Sequence, residues 1–430
     1  MKKPQSDEDT ALSQSGEARS FIEVGDWSAL TNLITEHAPS LLAEGHHESL
    51  AGWLDAMPAK LRDDQSWLCY WTGACMVPRD LDGARRWFER AFDTFEADPD
   101  PEGLYLSWAS IIDTLFLERG DFSPMRRWIS IGEQLLDRHP LPPGEIEGRV
   151  TSAMFTALMH SEPAHPRIGE WAHRLADLLV HVPDDNARIL MGASLVVYYT
   201  RWLGEHGHAE MVLEQFAGSR ERREQLAPLA RIMLMLLECT CHWNRCEIDE
   251  ANAATQEGLE TAERTGVHQL GFLLRAQPVY ICLGIGDLTG AEHKLAELRK
   301  LLPRSAAIEQ AHWHYLAAWH DMERGEPHAA NERLEECMQL VSKDSAPFQH
   351  AMHLVALAQV RHALGEREEI PSLLAETRAF AGSIGSPLIE FMVRCCEAHF
   401  AFEDGDEETG LAALRESFVL GHRRGYVNYA

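Results

Sequence analysis

The chain has 430 residues and a formal charge of −28, from 39 Lys and Arg against 67 Asp and Glu. Such a balance repels nucleic acid unless a concentrated basic patch exists. The densest basic stretch, Arg220 to Arg223 (RERR), is short and set among acids, so a solvated face and no direct DNA binding are expected.

With 45% apolar residues the chain can bury a sizeable core, and it has no run of 18 or more apolar residues to cross a membrane. Residues 1–16 (MKKPQSDEDTALSQSG) are polar and lack the apolar centre of a signal peptide, so a flexible leader is expected there. From Phe21 to Pro58 the pattern predicts two or three helices around a Gly-Asp turn at Gly25. Further turns are expected at Arg79 to Ala84 (RDLDGA), at Gly120-Asp121 and, in degenerate form, near Ser161-Glu162-Pro163. These define less regular N-terminal repeats over 17–200.

From 201 to 430 the punctuation is regular. Short acidic turns open at Gly204, Cys246, Gly286, Gly325, Gly365 and Gly405, at successive intervals of 42, 40, 39, 40 and 40 residues. A small residue follows five places on, at Ala209, Ala251, Ala291, Ala330 and Gly410, and second glycines stand twenty places on at Gly266, Gly385 and Gly425. Glycine takes the left-handed conformation that stops a helix, and the acid beside it favours the start of the next. The small residue lets two antiparallel helices approach closely. Apolar positions between the turns have helical spacing, as in Leu295, Leu298, Leu301 and Leu302, or Leu334, Cys337, Met338 and Val341. Two helices per unit at a fixed period of about 40 residues predict an all-α, tetratricopeptide-like solenoid, a right-handed superhelix of antiparallel pairs. Length alone suggests about three domains, but a solenoid is one continuous body, so a single array over 17–430 is expected.

No motif carries catalysis or a cofactor. The chain lacks G-x-x-x-x-G-K-[ST], H-E-x-x-H and G-x-S-x-G, and Gly382 to Ser386 (GSIGS) falls at a repeat junction, where a helix stop accounts for it. The nine cysteines are odd in number and mostly within apolar runs, which suits reduced thiols in a cytoplasm. Cys239, Cys241, His242 and Cys246 have an uneven spacing that sends Cys239 and Cys241 to different helix faces, against a metal site. Non-enzymatic function without metal or cofactor is therefore expected.

A ligand or partner groove, if present, should follow the first helix of each pair along the inner face. Eleven residues before three of the turn openers stand Arg275, His314 and Arg394. With the aromatics Tyr199, Trp202, Trp243 and Tyr315 they form a candidate groove for a sugar, an anion or a peptide carboxylate. Tyr198, Tyr280 and Trp319 lie close by in sequence.

The stretches HAPSLLAEGHHESLAGWLDAMP, YYTRWLGEHGHAEMVLE, AHWHYLAAWHDMERGEPHAA and LRESFVLGHRRGYVN resemble the solenoid of MalT-type large ATP-binding bacterial transcriptional regulators, relatives of which carry a winged-helix activator module. The resemblance spans Phe21 to Asn428. It implies a sensor segment that receives a small effector or a protein and controls an ATPase module and a DNA-binding module in the same or a partner polypeptide. Neither module is present in this sequence, so an excised sensor segment or a stand-alone relative is expected. The other expectation is a stand-alone tetratricopeptide scaffold that docks peptides.

Overall fold

The computed structural model describes residues 5–43, 45–302 and 306–427. Among them the chain is helical throughout, with no strand, and forms two compact units where the sequence pattern suggests one body. Unit 1 comprises 1–118 and 127–153, and unit 2 comprises 119–126 and 154–430. The leader expected at 1–16 lies partly outside the described residues, and from Gln5 the chain is already helical.

Unit 1 is built on α1 (Gln5–Val24), α2 (Trp27–Ala43), α3 (His47–Ala56), α4 (Ala59–Asp63), α5 (Ser66–Met76), α6 (Leu81–Ala97), α7 (Pro101–Glu118), most of α8 (Met125–Arg138) and the first half of α9 (Glu145–Ser161). The turn expected over Arg79 to Ala84 runs directly into α6, with Gly83 already helical. This glycine sits in the first turn of α6, where its N–H is capped by Asp80 at 2.9 Å. Fully buried Trp108 donates from Nε1 to the Trp128 carbonyl at 2.6 Å, fastening α7 to α8.

Unit 2 continues with α10 (Ile168–Leu179), α11 (Asp185–Val197), a π-helical turn (Tyr198–Leu203), α12 (His206–Glu214), α13 (Ala217–Glu221) and a 3-10 turn (Arg223–Gln225). Then come the paired helices α14 (Pro228–Asn244) with α15 (Ile248–Thr265), α16 (Gly271–Gly284) with α17 (Leu288–Arg299), α18 (Ala307–Glu323) with α19 (Pro327–Leu340), α20 (Pro347–Ala363) with α21 (Ile370–Ile384), and α22 (Pro387–Glu403) with α23 (Glu407–Arg424).

All six predicted turn openers are left-handed, with φ from 59° at Cys246 to 79° at Gly405. Five of them end their helix with one hydrogen-bond pattern. The acidic residue's N–H reaches back five residues, as in Asp287 to the Cys282 carbonyl at 2.8 Å and Glu326 to the Asp321 carbonyl at 2.9 Å. The opener's own N–H reaches back three, as in Gly286 to Leu283 and Gly325 to Met322. At Gly204 the pattern gains one residue: Glu205 N–H reaches six back, to the Tyr199 carbonyl at 2.6 Å, and the preceding turn is π-helical.

Each core layer joins a first helix, its partner and the next first helix. Phe272, Val279 and Leu283 of α16 meet Ala291, Leu295 and Leu298 of α17 and Trp313 and Leu316 of α18. One repeat later, Ala318 of α18 meets Ala330, Leu334 and Cys337 of α19 and Leu357 and Val360 of α20. The small residues predicted five places after the openers lie inside these layers: Ala251, Ala291 and Ala330 have no exposed surface. Ala330→Leu is therefore expected to overpack the α18–α19–α20 layer and cost about 1–3 kcal/mol. Urea denaturation measures this, and a loss within error of zero would show that the layer has slack.

Unit 2 also closes on itself. Phe348 of α20 stacks on Trp202 at 4.0 Å between ring centres, and Ser386 Oγ donates to the Trp202 carbonyl. The Phe122 N–H donates to the Ser345 carbonyl at 2.9 Å, and Ile308 N–H to the Arg119 carbonyl at 3.3 Å. Tyr426 and Leu388 pack so closely on Gly204 that a Cβ there would lie 2.4 Å from the Tyr426 hydroxyl. The segments 119–126 and 198–204 thus lie against the later repeats, which no periodicity announces.

Candidate functional site

The seven residues selected from the sequence divide among three environments. Arg275 on α16 pairs with Glu263 of α15 at 2.6 Å, and Arg394 on α22 pairs with Glu390 at 2.8 Å and with Glu416 of α23. His314 on α18 feels Arg333 and Glu336 of α19 and Arg299 of α17, and burial is the first cause that lowers its pKa. These three face the second helices, each in its own local network, and the structure does not bring them into one strip. Trp243 belongs to a repeat core, where its ring would be struck by any Cβ on Gly284. Tyr199 and Trp202 are buried on the π-helical turn, Tyr199 against His208 and Trp202 against Phe348 and His160.

Tyr315 stands elsewhere, on a wall formed by the first helices. Its ring lies 5.7 Å from that of His353 on α20. On the same face of α18, His312 is hydrogen-bonded through Nε2 to the Tyr280 hydroxyl of α16 at 2.8 Å, and Trp319 lies edge-on to Tyr280 at 6.2 Å. Facing them from the π-helical turn, the Arg201 guanidinium sits 5.3 Å above the Tyr280 ring. Of the seven selected residues Tyr315 is on this wall, and His314 misses it by two positions from His312. His314 and His312 differ by about 200° around a helix of 3.6 residues per turn, so they look in opposite directions.

The wall's electrostatics follow from its depth. Burial, then Arg201, Arg119 and His353, push the His312 pKa down to about 3. Burial and His350 push His353 down to about 3 as well. Burial raises the Tyr280 and Tyr315 phenols, and Arg201 opposes that rise in both. At neutral pH both histidines are uncharged and both tyrosines protonated, so the wall offers neutral donors and acceptors around one guanidinium. Arg119 is the neighbouring cation, and Glu309 neutralises it at 3.5 Å. Tyr280, His312, Tyr315, Trp319 and Arg201 each keep part of their surface accessible.

A cleft of about 550 Å³ among α12, α14 and α15 is charged but internally balanced. Arg220 and Arg223 both hold buried Glu238, at 2.8 and 2.9 Å, and Arg223 and Arg231 both hold Glu257. The basic stretch 220–223 is thus consumed by carboxylates of other helices instead of forming a solvated face. Cys239 accepts a hydrogen bond from Thr255 Oγ1 at 3.0 Å within a core layer, while Cys246 is exposed at its turn. No group of three metal-ligating side chains that could hold an ion occurs among the described residues.

No protein-family model matches the chain, and no curated protein does. Among solved structures it is similar to a Rap protein complexed with competence and sporulation factor, at 8% identity over 73% of this chain and 97% of that one, with a TM-score of 0.47. It is also similar to the APC/C hetero-tetramer Cut9-Hcn1, at 12% identity over 95% of this chain and 86% of that one (TM-score 0.47). A third is yeast Tom70, at 12% identity over 90% of this chain and 91% of that one (TM-score 0.36). The helix pairs and turns of the chain itself establish the tetratricopeptide-like fold.

Proposed function

We propose that the chain is a non-catalytic sensing module of the cytoplasm, in which unit 2 binds a small effector or a short peptide segment on the wall of Tyr280, His312, Tyr315 and Trp319. The observation that carries this reading is the wall itself. Aromatic rings and polar groups from the π-helical turn, α16, α18 and α20 converge there, and Arg201, Tyr280, His312, Tyr315 and Trp319 remain partly accessible. The wall's hydroxyl–imidazole pair, Tyr280 with His312, is poorly suited to proton transfer, because burial raises the pKa of the phenol and pushes that of the imidazole down to about 3. Because the π-helical turn and the 119–126 segment lie against the same repeats, an occupant would alter the contacts by which unit 2 closes. That coupling suits the sensor role implied by the MalT-type resemblance, in which an ATPase and a DNA-binding module respond and this acidic chain itself does not touch DNA.

The test is a thermal-shift screen of the intact chain against neutral sugars, short peptides and small organic acids. A ligand of the folded state raises the melting temperature by mass action. A hit is expected to lose its effect in Tyr315→Leu and to keep it in Arg275→Ala and Arg394→Ala. The reverse pattern would move the site to the outer networks and defeat this reading.

A further inference from the structure

We propose that the occupant of the wall is a small carboxylic acid with an aromatic or apolar body, and that Arg201 is the anchor for its carboxylate; this rests on the sensing reading above. Most arginines of unit 2 reach a carboxylate. Arg275, Arg378 and Arg394 are examples, and even exposed Arg367 has Asp404. Arg201 is partly accessible, has no carboxylate within 4 Å among the described residues, and lies by the ring and hydroxyl of Tyr280, the neutral imidazole of His312 and the Cys239 thiol. In a chain of net charge −28 an unpaired guanidinium among aromatic side chains is an unfilled anion position.

A second, independent feature is the backbone that carries it. Arg201 lies within the π-helical turn Tyr198–Leu203. Such turns are rare and concentrate at functional sites, because the inserted residue turns side chains away from their regular direction. Here the insertion accompanies the one opener whose acidic residue reaches back six residues instead of five. The turn is also pinned from outside by the Trp202–Phe348 stack and the Ser386 hydrogen bond. Arg201 is therefore presented to α16 and α18 by a braced, irregular piece of main chain.

Charge and lining define the ligand. With Arg119 neutralised by Glu309 and both histidines uncharged, the wall holds one uncompensated positive charge. That matches a single carboxylate better than a phosphate dianion. The Tyr280 hydroxyl, on a partly accessible residue, supplies a polar contact. The rings of Tyr280, Tyr315 and Trp319 cover the body of the molecule. A free acid and the C-terminus of a short peptide share this chemistry.

Calorimetric titration of the intact chain with phenylacetate, its neutral isostere phenylacetamide, phenyl phosphate, and a Phe-ending tripeptide with free or amidated C-terminus tests the assignment. Phenylacetate is expected to bind at least about ten-fold tighter than the amide and no more weakly than phenyl phosphate. Arg201→Gln should reduce the preference for acid over amide to about two-fold or less, and Arg201→Lys should retain part of it. Tyr280→Phe, which keeps the ring and leaves the π-turn untouched, guards against a folding defect there: it should weaken phenylacetate several-fold while the variant keeps its helical circular dichroism. If the free-ended tripeptide binds tighter than phenylacetate, and amidation abolishes this, the source is a peptide terminus; the opposite order indicates a free acid.

Equal binding of acid and amide, an acid preference that survives Arg201→Gln, or no binding of any acid at millimolar concentration would overturn the anion assignment. A neutral sugar that protects the chain through Tyr315 would overturn it too, while leaving the sensing reading intact. Absence of protection by every sugar, peptide and acid would remove both.

Discussion

Trp202→Ala is expected to destabilise unit 2 by about 3–5 kcal/mol, the range for removal of a fully packed large aromatic. The indole is 3% exposed, stacks on Phe348 with planes 17° apart and meets His160 edge-on at 5.5 Å. These partners come from α9 and α20, so the substitution loosens the closure of the unit as well as emptying a site in its packing. The hydrogen bond from Ser386 goes to the main-chain carbonyl of residue 202 and survives the change. A double-mutant cycle with Phe348→Ala should reveal non-additivity above about 0.5 kcal/mol, since the two rings are in direct contact. Were Trp202 instead a free groove residue, as the sequence pattern alone suggests, the single substitution would cost less than about 1 kcal/mol, and the bracing of the π-turn would need another explanation. Denaturant titration with helical circular dichroism as probe decides between these values.

The repeat architecture was legible because its signals are local. A left-handed residue, an acid beside it and a small residue five places on are all needed at the same position in every unit, and the six openers lie in that conformation. Two features were not legible. First helices such as α16 and α20 are apolar on most of their surface, because they are packed against their own partner and both neighbouring repeats. A periodic pattern on such a helix states that it is buried without stating which side faces inward, so the register that selected Arg275, His314 and Arg394 pointed to the second helices. The closure of unit 2 depends on contacts between residues about 150–220 apart in sequence, such as Trp202 with Phe348 or Arg126 with Asp344. No spacing rule reaches that far. The π-helical turn leaves no trace in the spacing, because it ends before Gly204, and the interval of 42 from Gly204 to Cys246 holds instead the extra α13 and 3-10 turn.

Acidification from pH 7 to pH 5 is expected to cost unit 2 about 4 kcal/mol through His160 and His353, or about 2 kcal/mol each. Both imidazoles are buried, at 7% and 3% exposure, and both have pKa values pushed down to about 3. Burial is the first cause in each, followed by Arg119 for His160 and by His350 for His353. In the unfolded chain the same groups titrate near ~6.5. Below that value the unfolded state binds protons that the folded state refuses. The contribution of the neutral histidines is therefore complete above about pH 6.5, declines by about 1.4 kcal/mol per histidine per pH unit below it, and levels off only near pH 3. The window between pH 7 and 5 isolates this effect, because surface carboxylates, with ordinary pKa values near ~4, remain ionised there. The measurement is unfolding free energy by urea titration at several pH values, for the parent chain and for His160→Leu with His353→Leu. The double variant should lose the share of the slope that His160 and His353 carry and keep that of His312, whose pKa is also pushed down to about 3, whatever its stability at pH 7. An unchanged slope would mean that these histidines take up protons in the folded state, and that the interior of unit 2 admits charge more readily than its packing implies.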